Sequence, residues 1–128
     1  MPIKYTVLNN GHYIHAVAEE KVSSHEFIKY EIDHATDSKI KSPIVELFEI
    51  RPFALDDISQ QDIQQILEER KKINIKPKRH KCALVVSTAD IKGWDIAKFY
   101  EGMLMLHSPE IVIVFGDINT AKIWLGVS

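Results

Sequence analysis

Cys82 and His80 stand two apart in "RHKCALVV", a thiol and an imidazole on one face of an extended run. A Cys–His nucleophile also needs an exposed site and a third group that orients the base. The sequence places neither, and a buried apolar thiol at a strand start is the plainer reading of Cys82. Glu46 and Glu49 lie three apart in "SPIVELFEI". Strand alternation puts them on opposite faces, so they do not form a carboxylate pair acting on one bond. Glu49, nearer the end of that strand, could reach the loops beyond it or be satisfied by a neighbouring Lys. The six histidines show no ligand spacing. His12 and His15 fall on opposite faces of a strand, and His25 and His34 are too far apart for one helical turn. No nucleophile, base and oxyanion donor can be assembled from these residues. The expectation is a chain with no catalytic residue, no metal site and no cofactor, and hence not an enzyme.

A second set of groups suits binding better than catalysis. Asp56 and Asp57 in "RPFALDDIS", Asp90 in "STADIKGW" and Asp117 in "GDIN" each follow an apolar run. In a largely parallel sheet, the loops after the strand C-termini gather on one edge, where α/β proteins hold ligands. Phe53 and Trp94 add apolar surface to the same loops. Helix N-termini favour negative charge, so one reading makes these acids caps and dipole partners only. The other makes Phe53, Asp56, Asp57, Asp90 and Trp94 part of a small pocket or of a surface for a basic partner. A phosphate site is disfavoured, because carboxylates hold the positive helix ends and no Gly-rich P-loop exists.

The helix of "GWDIAKFYEGMLMLHS" adds Phe99, Tyr100 and Met103 to the candidates. Its apolar residues cover more than one face. Core packing explains most of them, and any exposed remainder would mark a partner or an apolar ligand.

These residues need a scaffold, and the patterning supplies one. "IKYTVLNNGHYIHAVAE" alternates on both sides of Asn10-Gly11, a dipeptide that tolerates positive φ, and predicts a hairpin. Ser23 and Glu26 form a capping box ahead of Phe27, Ile28, Ile32 and Ala35 at helical spacing. Ser59 and Asp62 offer a second box ahead of Ile63, Ile66 and Leu67. "KCALVVST" and "EIVIVFG" are near-continuous apolar runs, as in strands covered on both faces. Asp117 caps a last helix whose Ala121, Trp124 and Leu125 share a face. The order β-β-α-β-α-β-α-β-α predicts one α/β domain over residues 1–128. Its sheet is mixed but mostly parallel, with helices packed against it.

Bulk properties narrow the partners. A chain of 128 residues with 45% apolar and 27% charged residues can bury a core of its own. One cysteine excludes an internal disulfide framework. No apolar run reaches membrane-spanning length, so a cytoplasmic protein without a transmembrane segment is expected. "ERKKINIKPKRHK" gathers Arg70, Lys71, Lys72, Lys76, Lys78, Arg79 and Lys81 on the opposite edge. No aromatic residues are interleaved for base stacking, and the net charge is −2, so no nucleic acid is expected. A solvated connection is the simpler reading of that run.

Three features resemble the STAS superfamily, most closely its SpoIIAA-like (STAS/SEC14-type) branch. They are "KCALVVST" followed by the Gly93-Trp94 pair, the tail "SPEIVIVFGDINTAKIWL", and the Gly-centred hairpin "NNGHYIHAVAE". The resemblance covers nearly the whole chain and implies a STAS-like α/β sandwich acting as a binding or regulatory module. In the anti-sigma-factor antagonists of that superfamily, a phosphorylatable Ser starts the helix after the third strand. Here "RPFALDDISQQD" has Asp56 and Asp57 at that place with no Gly following, so the antagonist motif is not retained. Ser59 reads as a helix cap. The expected function is regulation through protein–protein contacts, with a homodimer formed by the apolar third helix. The alternative is a carrier or sensor of a small apolar ligand such as a lipid, held between that helix and the sheet with Trp94 and Phe53 at the mouth.

Overall fold

The computed structural model describes residues 3–72, 81–107 and 110–127. It opens with the expected hairpin, strands β1 (Ile3–Leu8) and β2 (Tyr13–Ala18) in antiparallel register, Thr6 opposite His15. The connection is longer than a two-residue turn. A short 3-10 turn spans Asn9–Gly11, with φ of 51°, 58° and 98° at its three residues. Asn tolerates this left-handed region. Gly11 is required twice over, since a Cβ there would also lie 2.2 Å from the Lys39 carbonyl oxygen.

Helix α1 (Ser24–Ala35) starts at the reciprocal Ser23–Glu26 box. Ser23 Oγ accepts the Glu26 N–H at 3.2 Å, and Glu26 Oε1 accepts the Ser23 N–H at 2.8 Å. Strand β3 (Val45–Ile50) leads to helix α2 (Gln60–Lys72), where Ser59 and Asp62 repeat the exchange at 3.1 and 2.9 Å. Strand β4 (Lys81–Val86), helix α3 (Ile91–His107), strand β5 (Ile111–Phe115) and helix α4 (Ile118–Leu125) complete the order. At α4, Asp117 accepts the Thr120 N–H at 2.9 Å, and Gly126 closes the helix at φ 77°.

The five strands form one mixed sheet in the order β1-β2-β3-β4-β5, parallel from β2 onward. Each crossover carries a helix, and the larger core lies between α1, α2, α3 and one sheet face. The opposite face holds a smaller cluster in which Ala121 and Leu125 of α4 meet Tyr13, Leu47 and Ala83. Helix α4 lies over β3, β4 and β5 and leaves the β1 side of that face uncovered, so Lys4, Thr6 and Leu8 are exposed.

Burial corrects two helical stripes. In α1 the buried residues are Phe27, Tyr30, Glu31 and His34, while Ile32 is exposed. Two polar side chains face inward because they bond each other and further partners, which offsets their desolvation. In α3, helical spacing runs through Ile96, Phe99, Tyr100, Met103 and Leu106, yet Leu106 is exposed and Leu104 is buried instead. The stripe of α2 is as expected, with Ile63, Ile66 and Leu67 all buried. Burying each such side chain contributes about 1.5–3 kcal/mol.

Candidate functional site

Two places hold the candidate residues: the loops beyond the strand C-termini and the space between the helix layer and the sheet. In the loop after β3, Phe53 is 64% exposed and has φ 70°. The left-handed region is a genuine outlier for a bulky residue. Short turns hold it there: Ala54 N–H donates to the Arg51 carbonyl at 3.1 Å, and Asp56 N–H donates to that of Phe53 at 3.1 Å. Asp90 bridges to the next loop. Its Oδ1 accepts the Gly93 N–H at 3.1 Å, capping α3, and its Oδ2 accepts the Phe53 N–H at 3.4 Å. Lys92 Nζ donates to the Asp56 carbonyl. Asp90 is therefore buried and structural, Asp56 is half-buried, and Asp57 is exposed.

Trp94 is half-buried beside the last loop, where a Cβ on Gly116 would lie 3.7 Å from its ring and 2.8 Å from Thr88 Cγ2. Asp117 has its carboxyl held below the usual carboxylate range by hydrogen bonds from the Thr120 hydroxyl and then the Thr120 N–H. Phe53, Asp56, Asp57, Asp90 and Trp94 thus share one edge of the fold, as the topology requires.

Phe99, Tyr100 and Met103 lie elsewhere. Phe99 and Met103 are half-buried against the main core, and Tyr100 is buried. Exposed apolar area on α3 lies at its ends instead, at Ile91 (73%), Met105 (72%) and Leu106 (75%).

Tyr100 faces a cavity enclosed by all three helices of its layer. The sheet provides the floor through Phe48, Cys82 and Leu84. Helix α1 forms one wall with Phe27 and Glu31, and α3 the other with Ala97 and Tyr100. Leu55 and Ile63 of α2 and its preceding loop form the roof. The space totals about 370 Å³ including its open mouth, but it is a narrow crevice with room for about one water-sized molecule. Phe53 and Trp94 do not line it.

Glu31, which lines the cavity, belongs to a polar cluster that sequence reasoning missed. Glu31 Oε2 takes His34 Nε2 at 3.0 Å and Arg70 Nε at 3.3 Å, and Arg70 Nη2 continues to Glu110 Oε1 at 2.7 Å. Tyr100 Oη donates to Glu31 Oε1 at 3.4 Å, and Tyr30 Oη donates to the fully buried Glu46. Arg70 is thus an interior tether rather than part of a solvated basic run. Lys71 and Lys72 are exposed, and Lys81 lies 5.0 Å from the centre of the Trp124 ring. Lys76, Lys78, Arg79 and His80 fall outside the described residues. The detectable signal was the spacing of Glu31 and His34, which share a face with Phe27 and Tyr30.

A second missed pair sits on the opposite sheet face. His15 Nε2 meets Glu49 Oε2 at 2.5 Å, and the His15 ring stacks on Tyr13 with centroids 6.3 Å apart. Burial, and then the Glu49 carboxylate, push the Tyr13 hydroxyl up from its ordinary pKa. Glu46 and Glu49 do point to opposite faces, so they form no joint acid–base site. Among the described residues, no three His, Cys, Asp or Glu side chains are grouped to hold a metal ion, and no helix is long and apolar enough to cross a membrane.

Comparison of the chain with protein-family models, curated proteins and solved structures gave no match.

Proposed function

We propose that this chain is a STAS-like binding or regulatory module of the cytoplasm that does no chemistry of its own and acts through protein–protein contacts. The observation that carries this reading is Phe53. An exposed aromatic ring contributes little to the core, yet the chain holds its backbone in a conformation costing roughly 1–3 kcal/mol. Such strain is retained where the displayed side chain has work to do, and a projecting aromatic is a common anchor in protein interfaces. The exposed Asp57, with Glu19 and Glu20 on the neighbouring loop, would provide a polar rim for a basic partner.

Self-association belongs to the same reading. Met105 and Leu106 lie at the end of α3, a few residues before the exposed Ile111 that begins β5. They supply apolar area for a homodimer. Light scattering with Leu106→Glu as control tests this directly. A dimer dispersed by the substitution supports it, and a monomer at high micromolar concentration removes it. A screen against generic esterase and phosphatase substrates is expected to be silent. Saturable turnover abolished at Cys82 or Asp57 would overturn the non-enzymatic reading.

A second reading, a carrier or sensor of a small apolar ligand, requires the crevice beneath α2 to open well beyond its water-sized room. Native mass spectrometry of freshly purified protein tests it through any retained ligand mass.

A further inference from the structure

We infer that the free edge of β1 is a pairing surface for a second copy of this chain. The two β1 strands join antiparallel across a two-fold axis and make one continuous sheet. This interface is separate from the apolar end of α3 and goes beyond the binding reading above.

The hydrogen-bond ladder fixes which main-chain groups of β1 are free. The His12 and Ala18 carbonyls accept from the Val45 and Arg51 N–H groups at 2.9 and 3.0 Å. Backbone groups alternate sides along a strand, so the even-numbered residues of β2 turn toward β3 and the odd-numbered ones toward β1. Tyr13, His15 and Val17 therefore bond Leu8, Thr6 and Lys4, their partners in the antiparallel register. Ile3, Tyr5 and Val7 are left with N–H and C=O directed away from the sheet. None of these groups has a hydrogen-bond partner among the described residues. The same alternation turns the Val114 N–H outward on β5, where Glu101 takes it at 2.7 Å. One edge is occupied by a side chain, and the other is open.

Edge strands are commonly blunted by proline, a bulge or charge. β1 carries no proline, and its register with β2 runs unbroken over all six residues. Its one charged residue is Lys4, which projects with Thr6 and Leu8 from the face that α4 leaves uncovered. Lys4 selects the register. Outward residues must meet outward residues, and centring the pair on Tyr5 matches Ile3 with Val7 of the second copy. Every outward group is then engaged, and the apolar side chains of Ile3, Tyr5 and Val7 meet on the helix side. On the other face Lys4 lies opposite Thr6 of the second copy. Sliding two residues one way sets Lys4 against Lys4, which like-charge repulsion disfavours. Sliding the other way carries Ile3 past the end of the partner strand. The strand is thus complementary to itself in one register, and a two-fold axis closes that pairing.

The test is amide hydrogen exchange by NMR on the whole chain over a range of concentrations, with sedimentation equilibrium alongside. Protection of the Tyr5 and Val7 amides is expected to rise with concentration, while that of Val114 stays constant. Val7→Pro removes an outward N–H that β2 does not use, and should weaken dimerisation by about tenfold. Thr6→Lys sets two ammonium groups opposite one another and should weaken it several-fold. Thr6→Glu sets a carboxylate against Lys4 and should tighten it. Tyr5 and Val7 amides that exchange freely at every concentration overturn the proposal, as does a dimer indifferent to Val7→Pro. Equal affinities of the two Thr6 variants overturn the register. If Val7→Pro fails to fold, the Thr6 variants and the exchange of the unaltered protein decide. A dimer dispersed by Leu106→Glu, with the β1 amides unprotected, supports the α3 interface and sinks this one. A dimer that survives Leu106→Glu with those amides protected supports this one and removes the other.

Discussion

Glu101 of α3 accepts the backbone N–H of Val114 through Oε2 at 2.7 Å, on the side of β5 that has no neighbouring strand. The carboxylate is buried, and Lys98 Nζ bonds its other oxygen at 2.7 Å. An unpaired strand edge is a template for pairing with another chain, and one side chain here occupies part of it. A homodimer through α3 would thus be a side-chain interface rather than a continuation of the sheet.

Glu101→Ala should destabilise the fold by about 1–3 kcal/mol, the cost of leaving a buried donor unsatisfied. It should also increase self-association as the edge is exposed. Urea unfolding and light scattering measure the two effects, and Glu101→Gln, which keeps an acceptor oxygen, should recover part of both. Unchanged stability in Glu101→Ala would show that the edge N–H finds water readily.

Phe53→Gly separates stability from binding. Glycine adopts positive φ without steric strain, and the exposed ring gives up little burial. Stability should be unchanged or higher by up to about 1 kcal/mol, while any partner contact at this edge weakens. A thermal melt showing clear destabilisation would instead make Phe53 a structural residue.

Arg70→Ala should be among the most damaging changes in α2. It leaves Glu31 and Glu110 without a guanidinium that both use, and breaking such a buried pair costs about 3–5 kcal/mol. Lys71→Ala, at an exposed pair 3.6 Å from Glu68, should change stability by less than about 0.5 kcal/mol. Paired urea titrations test the contrast.

Two groups set opposite ends of the pH profile. Burial, and then a 2.9 Å hydrogen bond to Asp37 and the charges of Asp37 and Asp33, push the Tyr5 hydroxyl up to about 12. The folded state therefore holds that proton where the unfolded chain releases it. The associated stability is full below pH 10 and is lost as pH rises toward 12. Ultraviolet titration of tyrosinate should lose a component that titrates above the ordinary tyrosine range in Tyr5→Phe. Asp117 works in the other sense. Its folded pKa is depressed, so its contribution is present above the ordinary carboxylate range and is lost as pH falls through the folded value. Asp117→Asn keeps an acceptor for Thr120 and should flatten the acid limb of the stability curve.

Local chemistry made much of this fold legible. The boxes at Ser23–Glu26 and Ser59–Asp62, the cap at Asp117 and the positive φ of Asn10-Gly11 depend on neighbours a few residues apart, so the types and spacing carry them. The apolar runs at β4 and β5 announced both strands, but only β4 is well covered on both faces, while β5 begins with the exposed Ile111. The edge shared by Phe53, Asp90 and Trp94 followed from topology, because parallel strands send their outgoing loops to one side.

Tertiary structure alone decided the rest, since it concerns residues far apart in the chain. Glu31 meets Arg70 across 39 positions and Glu110 closes the cluster, which turned Arg70 from part of a basic run into an interior tether. His15 found Glu49 because β2 and β3 lie side by side, a pairing no spacing announces. Helical spacing put Leu106 on the apolar stripe of α3, whereas the structure exposes Leu106 and buries Leu104. That is fixed by how the whole layer rotates to bury apolar area, a balance set by residues far apart in the chain.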